Sequence, residues 1–214
     1  MKSTIQLLLV AFIFTLTACK NQGTSFSDYK YADKPEIIKC NVESKILNEA
    51  LYAFENDIQN QYDKNLNSIN HAYNSFARQI NSRRPIPFKE FISKHTITVA
   101  KALQETDIFI NGKVNYQSEA ISCLAENMVD SDIKTTFNAL LTTNSMSRDL
   151  FGPALQAYSS KVASDKHLGL YMALEYFYAE AVKIDYTDVD FENRTAPKKN
   201  LKMQPKIAPV KPTN

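Results

Sequence analysis

Glycine is scarce in this chain: Gly23, Gly112, Gly152 and Gly169 are its only four glycines among 214 residues, and there is no tryptophan. Glycines so far apart build neither a Gly-rich phosphate loop nor a Gly-x-Ser-x-Gly nucleophile elbow, so the common nucleotide-binding and hydrolase signatures are excluded. Proline is missing between Pro35 and Pro85, which removes the usual breakers from a long stretch and favours helix. The three histidines, His71, His95 and His167, fall in no His-Glu-x-x-His pair and beside no Cys-x-x-Cys, so neither a zinc site nor any other metal or cofactor is expected. Long apolar runs are lacking too. Leu7–Leu16 is the most apolar stretch, and its ten residues fall short of the ~20 that a transmembrane helix needs.

That short run is informative through its flanks. Lys2 precedes it, and Leu16-Thr17-Ala18-Cys19 follows, before polar Lys20, Asn21 and Gln22. A basic start, an apolar centre and small residues before a cut are the three parts of an export signal. The junction resembles the lipobox of bacterial lipoprotein signals, in which Leu-x-Ala-Cys leaves the cysteine as the first residue of the mature chain. The resemblance covers about a tenth of the sequence. It implies that residues 1–18 are removed, that Cys19 carries thioether-linked diacylglycerol, and that the chain is anchored in the membrane. Each buried methylene contributes ~0.8 kcal/mol, and stable attachment takes two chains, which such a group supplies. Lys20, where an acidic residue would signal retention at the inner membrane, favours by the same resemblance the periplasmic side of the outer membrane.

With Cys19 consumed by lipid, Cys40 and Cys123 remain. An exported domain invites a disulfide between them, and the alternative is two separate buried thiols. Charge adds a second bound. Removing Lys2 and the five lysines of the tail from 25 basic residues leaves 19 against 23 acidic ones, so residues 19–195 carry −4. A mildly acidic exported domain is a poor nucleic-acid binder.

The organisation reads as signal peptide (1–18), flexible tether (19–33), one helical domain (34–185), and an acidic linker with a disordered Lys/Pro-rich tail (186–214). About 150 residues suffice for one core. Pro35 and Glu36 after Asp33 suggest a helix start. From Val42 through Ile46, Leu47, Leu51, Phe54, Ile58, Tyr62, Leu66, Ile69, Tyr73, Phe76 and Ile80, apolar residues step by three or four, which predicts one long helix bent near 60–67. Pro85 and Pro87 end it. A second helix is expected over 88–105. Asn111-Gly112 between short apolar runs then signals a hairpin within 108–116, with a plain loop as the alternative. Helices over 118–128, 131–142, 147–163 and 165–184 make six, the last apolar on several sides and hence central. The fold class is all-α, an elongated antiparallel helical bundle.

Chemistry is thin. Ser131 and Lys134 have Ser-x-x-Lys spacing, as do Ser27 and Lys30, but Ser-Asp-Asn and Lys-Thr-Gly are missing, and Ser131 reads as a helix cap. His95 lies near an apolar helix face and reads as a core or boundary residue. Asp185, Asp188, Asp190 and Glu192 do not fit a calcium loop, because Asn193 stands where glycine belongs and Lys199 where the closing glutamate belongs. Glu49 with Glu55, or Glu175 with Glu180, are the carboxylate pairs nearest apolar stripes, and solvation of a helix surface is the simpler role. Tyr52 and Tyr176 fall off the stripes and are the aromatics to consider as contacts with a partner. No catalytic residue is assigned. The expectation is a lipid-anchored, non-enzymatic module that binds another envelope protein. The alternatives are an inhibitor or immunity lipoprotein, and a periplasmic hydrolase or ligand carrier, which would need a deep pocket.

Overall fold

The computed structural model describes residues 26–63, 68–82 and 84–194. The signal peptide, Cys19 and the Lys/Pro tail from Ala196 lie outside the described residues. The fold is all-α with one small hairpin. Its elements are α1 (Ser44–Tyr62), α2 (Ile69–Asn81), α3 (Phe88–Phe91), α4 (Lys94–Leu103), β1 (Phe109–Ile110), β2 (Lys113–Val114), α5 (Glu119–Asn127), α6 (Ser131–Thr142), α7 (Arg148–Ala157), α8 (Ser159–Val162) and α9 (Lys166–Met172), then a π-helical turn (Ala173–Tyr178) running into α10 (Ala179–Ala181). None of the described helices is long and apolar enough to cross a membrane.

The long first helix is two helices. Phe54 and Phe76 would be about 33 Å apart along one helix at 1.5 Å per residue. Their rings instead stand 5.3 Å apart, because α2 folds back against α1. The break follows Tyr62, where buried Asp63 accepts the Ser68 amide and Ser68 Oγ caps α2 by accepting the His71 amide. Helix also begins later than Pro35 suggests. Residues 35–43 run without helix, because buried Asn48 holds them: its Oδ1 accepts the amides of Ile37 and Ile38 at 2.8 and 2.9 Å, and its Nδ2 donates to the Ile38 carbonyl at 2.7 Å. Glu43, at φ 55°, then turns the chain into α1.

A side-chain cap divides the helix expected over 88–105. Ser93 separates α3 from α4, its amide donating to buried Asp57 at 2.8 Å and its hydroxyl accepting the Thr96 amide. Asp130, and not Ser131, caps α6 by accepting the amides of Asp132 and Ile133. The hairpin forms as its turn residues predict: Phe109 pairs with Val114 and Ile110 with Lys113, while Asn111 and Gly112 take φ of 53° and 74°.

The final helix is the centre of the molecule. Every residue from Leu168 to Ala179 is buried. On it, the Phe177 ring meets Phe54, Phe76, Phe88 and Phe91 at centroid distances of 5.1–6.1 Å, and Tyr171 meets Phe137 and Phe151 at 4.7 and 5.4 Å. Tyr178 donates to the Ala50 carbonyl of α1 at 2.8 Å. The other helices wrap this rod, which explains why its sequence is apolar on several sides.

Gly169 is what lets the rod approach α2. A Cβ at that position would stand 2.7 Å from the Tyr73 hydroxyl and 3.2 Å from the adjoining ring carbon. Tyr73 is fully buried and tied to Glu55 at 2.8 Å, so it has little freedom to retreat. Gly169→Ala should therefore destabilise the protein. Overpacking costs about 1–3 kcal/mol and outweighs the gain of up to about 1 kcal/mol in helix propensity. A melting temperature equal to or above that of the parent would contradict this.

Residues 26–33 and 186–194, at both ends of the described chain, lie closer to the domain than expected. Residues 26–33, expected to be tether, are pinned by Glu49, which accepts the Lys30 amide at 2.8 Å and the Tyr31 amide at 3.0 Å. Residues 186–194, expected to be a solvated linker, return through Lys89–Asp188 at 2.7 Å and through Arg194 Nη1, which donates to the Ile92 carbonyl at 2.5 Å. Cys40, at the end of the segment clamped by Asn48, stands at disulfide distance from Cys123 on α5, with Sγ atoms 1.98 Å and Cα atoms 5.8 Å apart.

Candidate functional site

The π-helical turn opens a cleft beside the core. A π turn carries one residue more than an α turn, and such turns are frequent at functional sites. Here it carries Glu175 and Tyr176. The cleft has a volume of about 580 Å³. Ile80, Phe88, Leu155 and Met172 are among its apolar lining, while Arg84, Arg148, Asp149, Glu180 and Lys183 bring charge of both signs to it.

Arg148 organises the site. It occupies the first position of α7, where Ser147 caps the helix by accepting the Leu150 amide. Its Nε donates to Glu175 Oε1 at 2.6 Å, Nη1 to Glu180, and Nη2 to the Glu175 carbonyl, so one guanidinium ties α7 to the central rod at three points. Glu175 is itself buried and takes a second bond from the Tyr116 hydroxyl at 2.8 Å. Burial works against the charge of Arg148, but Glu175 and Glu180 outweigh it and hold its pKa above the ordinary arginine value. Burial also opposes the charge of Glu180, where Lys183 and Arg148 win and lower its pKa.

Tyr176 is the unsatisfied member. It is 6% exposed, the Arg148 guanidinium lies 5.2 Å from its ring centroid, and its buried hydroxyl has no hydrogen-bond partner among the described residues. Burial first, and the neighbouring Glu175 carboxylate second, push its pKa up to about 12. The hydroxyl approaches α7 at Gly152, where a Cβ would stand 3.6 Å from it. Pro153 follows, and because it has no amide hydrogen it leaves the Asp149 carbonyl without its usual helical donor. An unpaired buried hydroxyl costs about 1–3 kcal/mol.

The residues singled out from sequence separate elsewhere. Lys134 turns away from Ser131 to the Glu126 carbonyl at 2.5 Å, and Lys30 lies over the Tyr31 ring, so neither Ser-x-x-Lys spacing forms a pair. Asp63, Ser68 and His71 share one turn, but the Ser68 hydroxyl meets the backbone of His71 and not its ring, so they form no nucleophile–base chain. His95 is the boundary residue expected, with Nε2 2.5 Å from Glu49 and Nδ1 3.6 Å from Asp28. Glu55 pairs with Lys166 at 2.5 Å and Glu49 with His95, so those two carboxylates serve different contacts. Glu175 and Glu180 do converge, on Arg148. Asp185 accepts the Thr187 amide and Asp190 the amides of Glu192 and Asn193, so they shape local turns. Among the described residues no three His, Cys, Asp or Glu side chains are grouped to hold a metal ion. Burial lowers the pKa of His167. Of the two off-stripe tyrosines, Tyr52 donates to the Pro35 carbonyl at 2.7 Å and Tyr176 lies at the cleft.

Comparison with known protein families, curated proteins and solved structures finds no match. The reading of the cleft therefore rests on its own geometry. Sequence reasoning missed Arg148, and the signal that could have found it is Gly152-Pro153, a pair of poor helix formers within an expected helix.

Proposed function

We propose that this protein is a lipid-anchored, non-enzymatic module of the bacterial cell envelope, held at the periplasmic face of the outer membrane through Cys19, with the Cys40–Cys123 pair bridged, and that it binds an envelope protein through the cleft over the π-helical turn. The observation that carries the cleft assignment is a concavity of about 580 Å³ whose apolar lining is flanked by charges of both signs, Arg84, Arg148, Asp149, Glu180 and Lys183. A peptide segment suits that arrangement, since its backbone supplies donors and acceptors and its side chains meet the apolar lining. The ion network supports binding more than chemistry. The Arg148, Glu175 and Glu180 groups are engaged with one another and hold helices together, whereas a catalytic base needs a free lone pair near a nucleophile.

Site-specific photocrosslinking in cells tests both halves. A photoreactive residue at exposed Gln156, on the cleft, is expected to trap one protein at stoichiometric yield, while one at Val129, which is 76% exposed and does not line the cleft, traps none. Equal capture at both positions, or a small molecule as the sole adduct at Gln156, refutes the cleft assignment. Cys19→Ala should move the protein from the membrane to the soluble fraction or leave it unprocessed; unchanged cleavage and fractionation would refute the anchor.

A further inference from the structure

We infer that the face formed by Phe26, Tyr29, Tyr31 and Tyr52 lies against the lipid headgroup layer of the membrane in which Cys19 is anchored, an inference that rests on the lipid-anchor reading. Its basis is where the folded chain begins. From Phe26 onward the backbone is fixed to the domain: Glu49 accepts the amides of Lys30 and Tyr31, His95 bridges Glu49 and Asp28, and Tyr52 donates to the Pro35 carbonyl.

Only residues 20–25 separate Cys19 from that fixed segment. Seven steps of chain span at most about 25 Å when fully extended, and on average about 15 Å when flexible. A domain of this size has a radius of gyration near 15 Å, hence a diameter of about 40 Å. The tether is shorter than the domain is wide. The domain therefore has no room to turn over, and at the average reach of about 15 Å, under half its diameter, the face bearing Phe26 is held toward the bilayer.

The chemistry of that face suits the position. Phe26 and Tyr29 meet edge to face at 4.8 Å, Tyr31 and Tyr52 lie 5.9 Å apart, and the His95 ring joins the two pairs, 6.4 Å from Phe26 and 6.0 Å from Tyr31. All four aromatics are half-buried, apolar in body, and three end in a hydroxyl, the amphipathic shape that favours a membrane–water interface. Exposed Lys30, Lys34 and Lys39 flank them and have stems long enough to keep their charge among headgroups. Exposed Asp28, Asp33 and Glu36 balance those lysines, so the contact does not depend on anionic lipid. No residue of this face lines the cleft, so contact with lipid leaves the cleft open to a partner.

The missing tryptophan provides the test. Tyr29→Trp and Tyr52→Trp, made separately, each give the full-length lipidated protein a single indole. In phosphatidylcholine vesicles with brominated acyl chains, each variant should lose at least half of the fluorescence it has in unbrominated vesicles, and raising the salt should not restore it. Flotation of the same samples reports the anchor independently. Protein that floats with vesicles without quenching at either position overturns the membrane-facing assignment and leaves the anchor standing. Protein that fails to float overturns the anchor and the assignment together.

Discussion

Replacing both Cys40 and Cys123 by alanine is expected to lower the unfolding free energy by about 4–5 kcal/mol. The two residues are 83 apart in sequence, and closing a loop of that length in the unfolded chain removes about that much conformational entropy in the chain-entropy treatment. The folded state adds to the effect. Cys40 lies in the non-helical segment 35–43, which Asn48 clamps through Ile37 and Ile38 and Tyr52 holds at the Pro35 carbonyl, so the bridge adds a covalent attachment to these side-chain bonds. Chemical denaturation of the parent with and without reductant, and of the double variant, measures the difference. Two free thiols in the mature protein, or a loss below about 1 kcal/mol, would contradict the expectation. Domains of this size are typically stable by 5–15 kcal/mol, so losing the bridge puts folding at growth temperature at risk.

Arg148→Ala is expected to cost about 2–4 kcal/mol for a different reason, less than the loss from a fully buried pair because the Arg148 side chain is 38% exposed. The substitution leaves the buried Glu175 carboxylate with the Tyr116 hydroxyl as its remaining side-chain partner, and a buried charge without its countercharge is far more costly than an exposed one. Glu180→Gln should cost under about 1 kcal/mol, because Glu180 is about a third exposed and water replaces much of what it loses. Arg148→Lys keeps the charge but lacks the planar fork that makes three contacts, so it should fall between. Removing both charges with apolar residues of similar volume, as in Arg148→Met with Glu175→Leu, should recover much of the loss, since no unpaired charge then remains buried. Equilibrium denaturation of this series decides the matter. Equal effects for Arg148→Ala and Glu180→Gln would contradict the assignment of Glu175 as the buried partner.

Much of the fold was legible because burial on a helix repeats at a fixed spacing. Of the steps from Ile46 to Ile80, Ile46, Leu47, Leu51, Phe54, Ile58, Tyr73 and Phe76 are buried, Tyr62, Ile69 and Ile80 are half-buried, and Leu66 lies outside the described residues. The apolar run from Leu168 onward is buried, and Asn111-Gly112 marked a turn that needs two left-handed residues. What was not legible turns on contacts between residues distant in sequence. Asn48 reads as a polar residue on a helix, and nothing local says that it will hold residues 37 and 38 out of that helix. Glu49 looks like a solvated glutamate until the N-terminal segment folds over it. Tyr176 stood out as off the stripe, but the reason lies in the π turn, which changes the period that the stripe assumes. Arg148 gave no signal beyond the nearby Gly152-Pro153 pair, since its role depends on two glutamates about 30 residues away.

By itself, the sequence determined the helical class, the turn of the hairpin and the central place of the last helix, and it carries the lipobox-like junction on which the proposed anchor rests. Each is a property of a few neighbouring residues: their spacing, their φ preferences, or their order around a cysteine. The tertiary structure decided where the first helix breaks, that residues 26–33 and 186–194 are bound to the domain, and that an arginine, two glutamates and a tyrosine meet beside a cleft. These depend on which buried polar groups find one another across the fold, because an unsatisfied group costs enough to override local helix propensity.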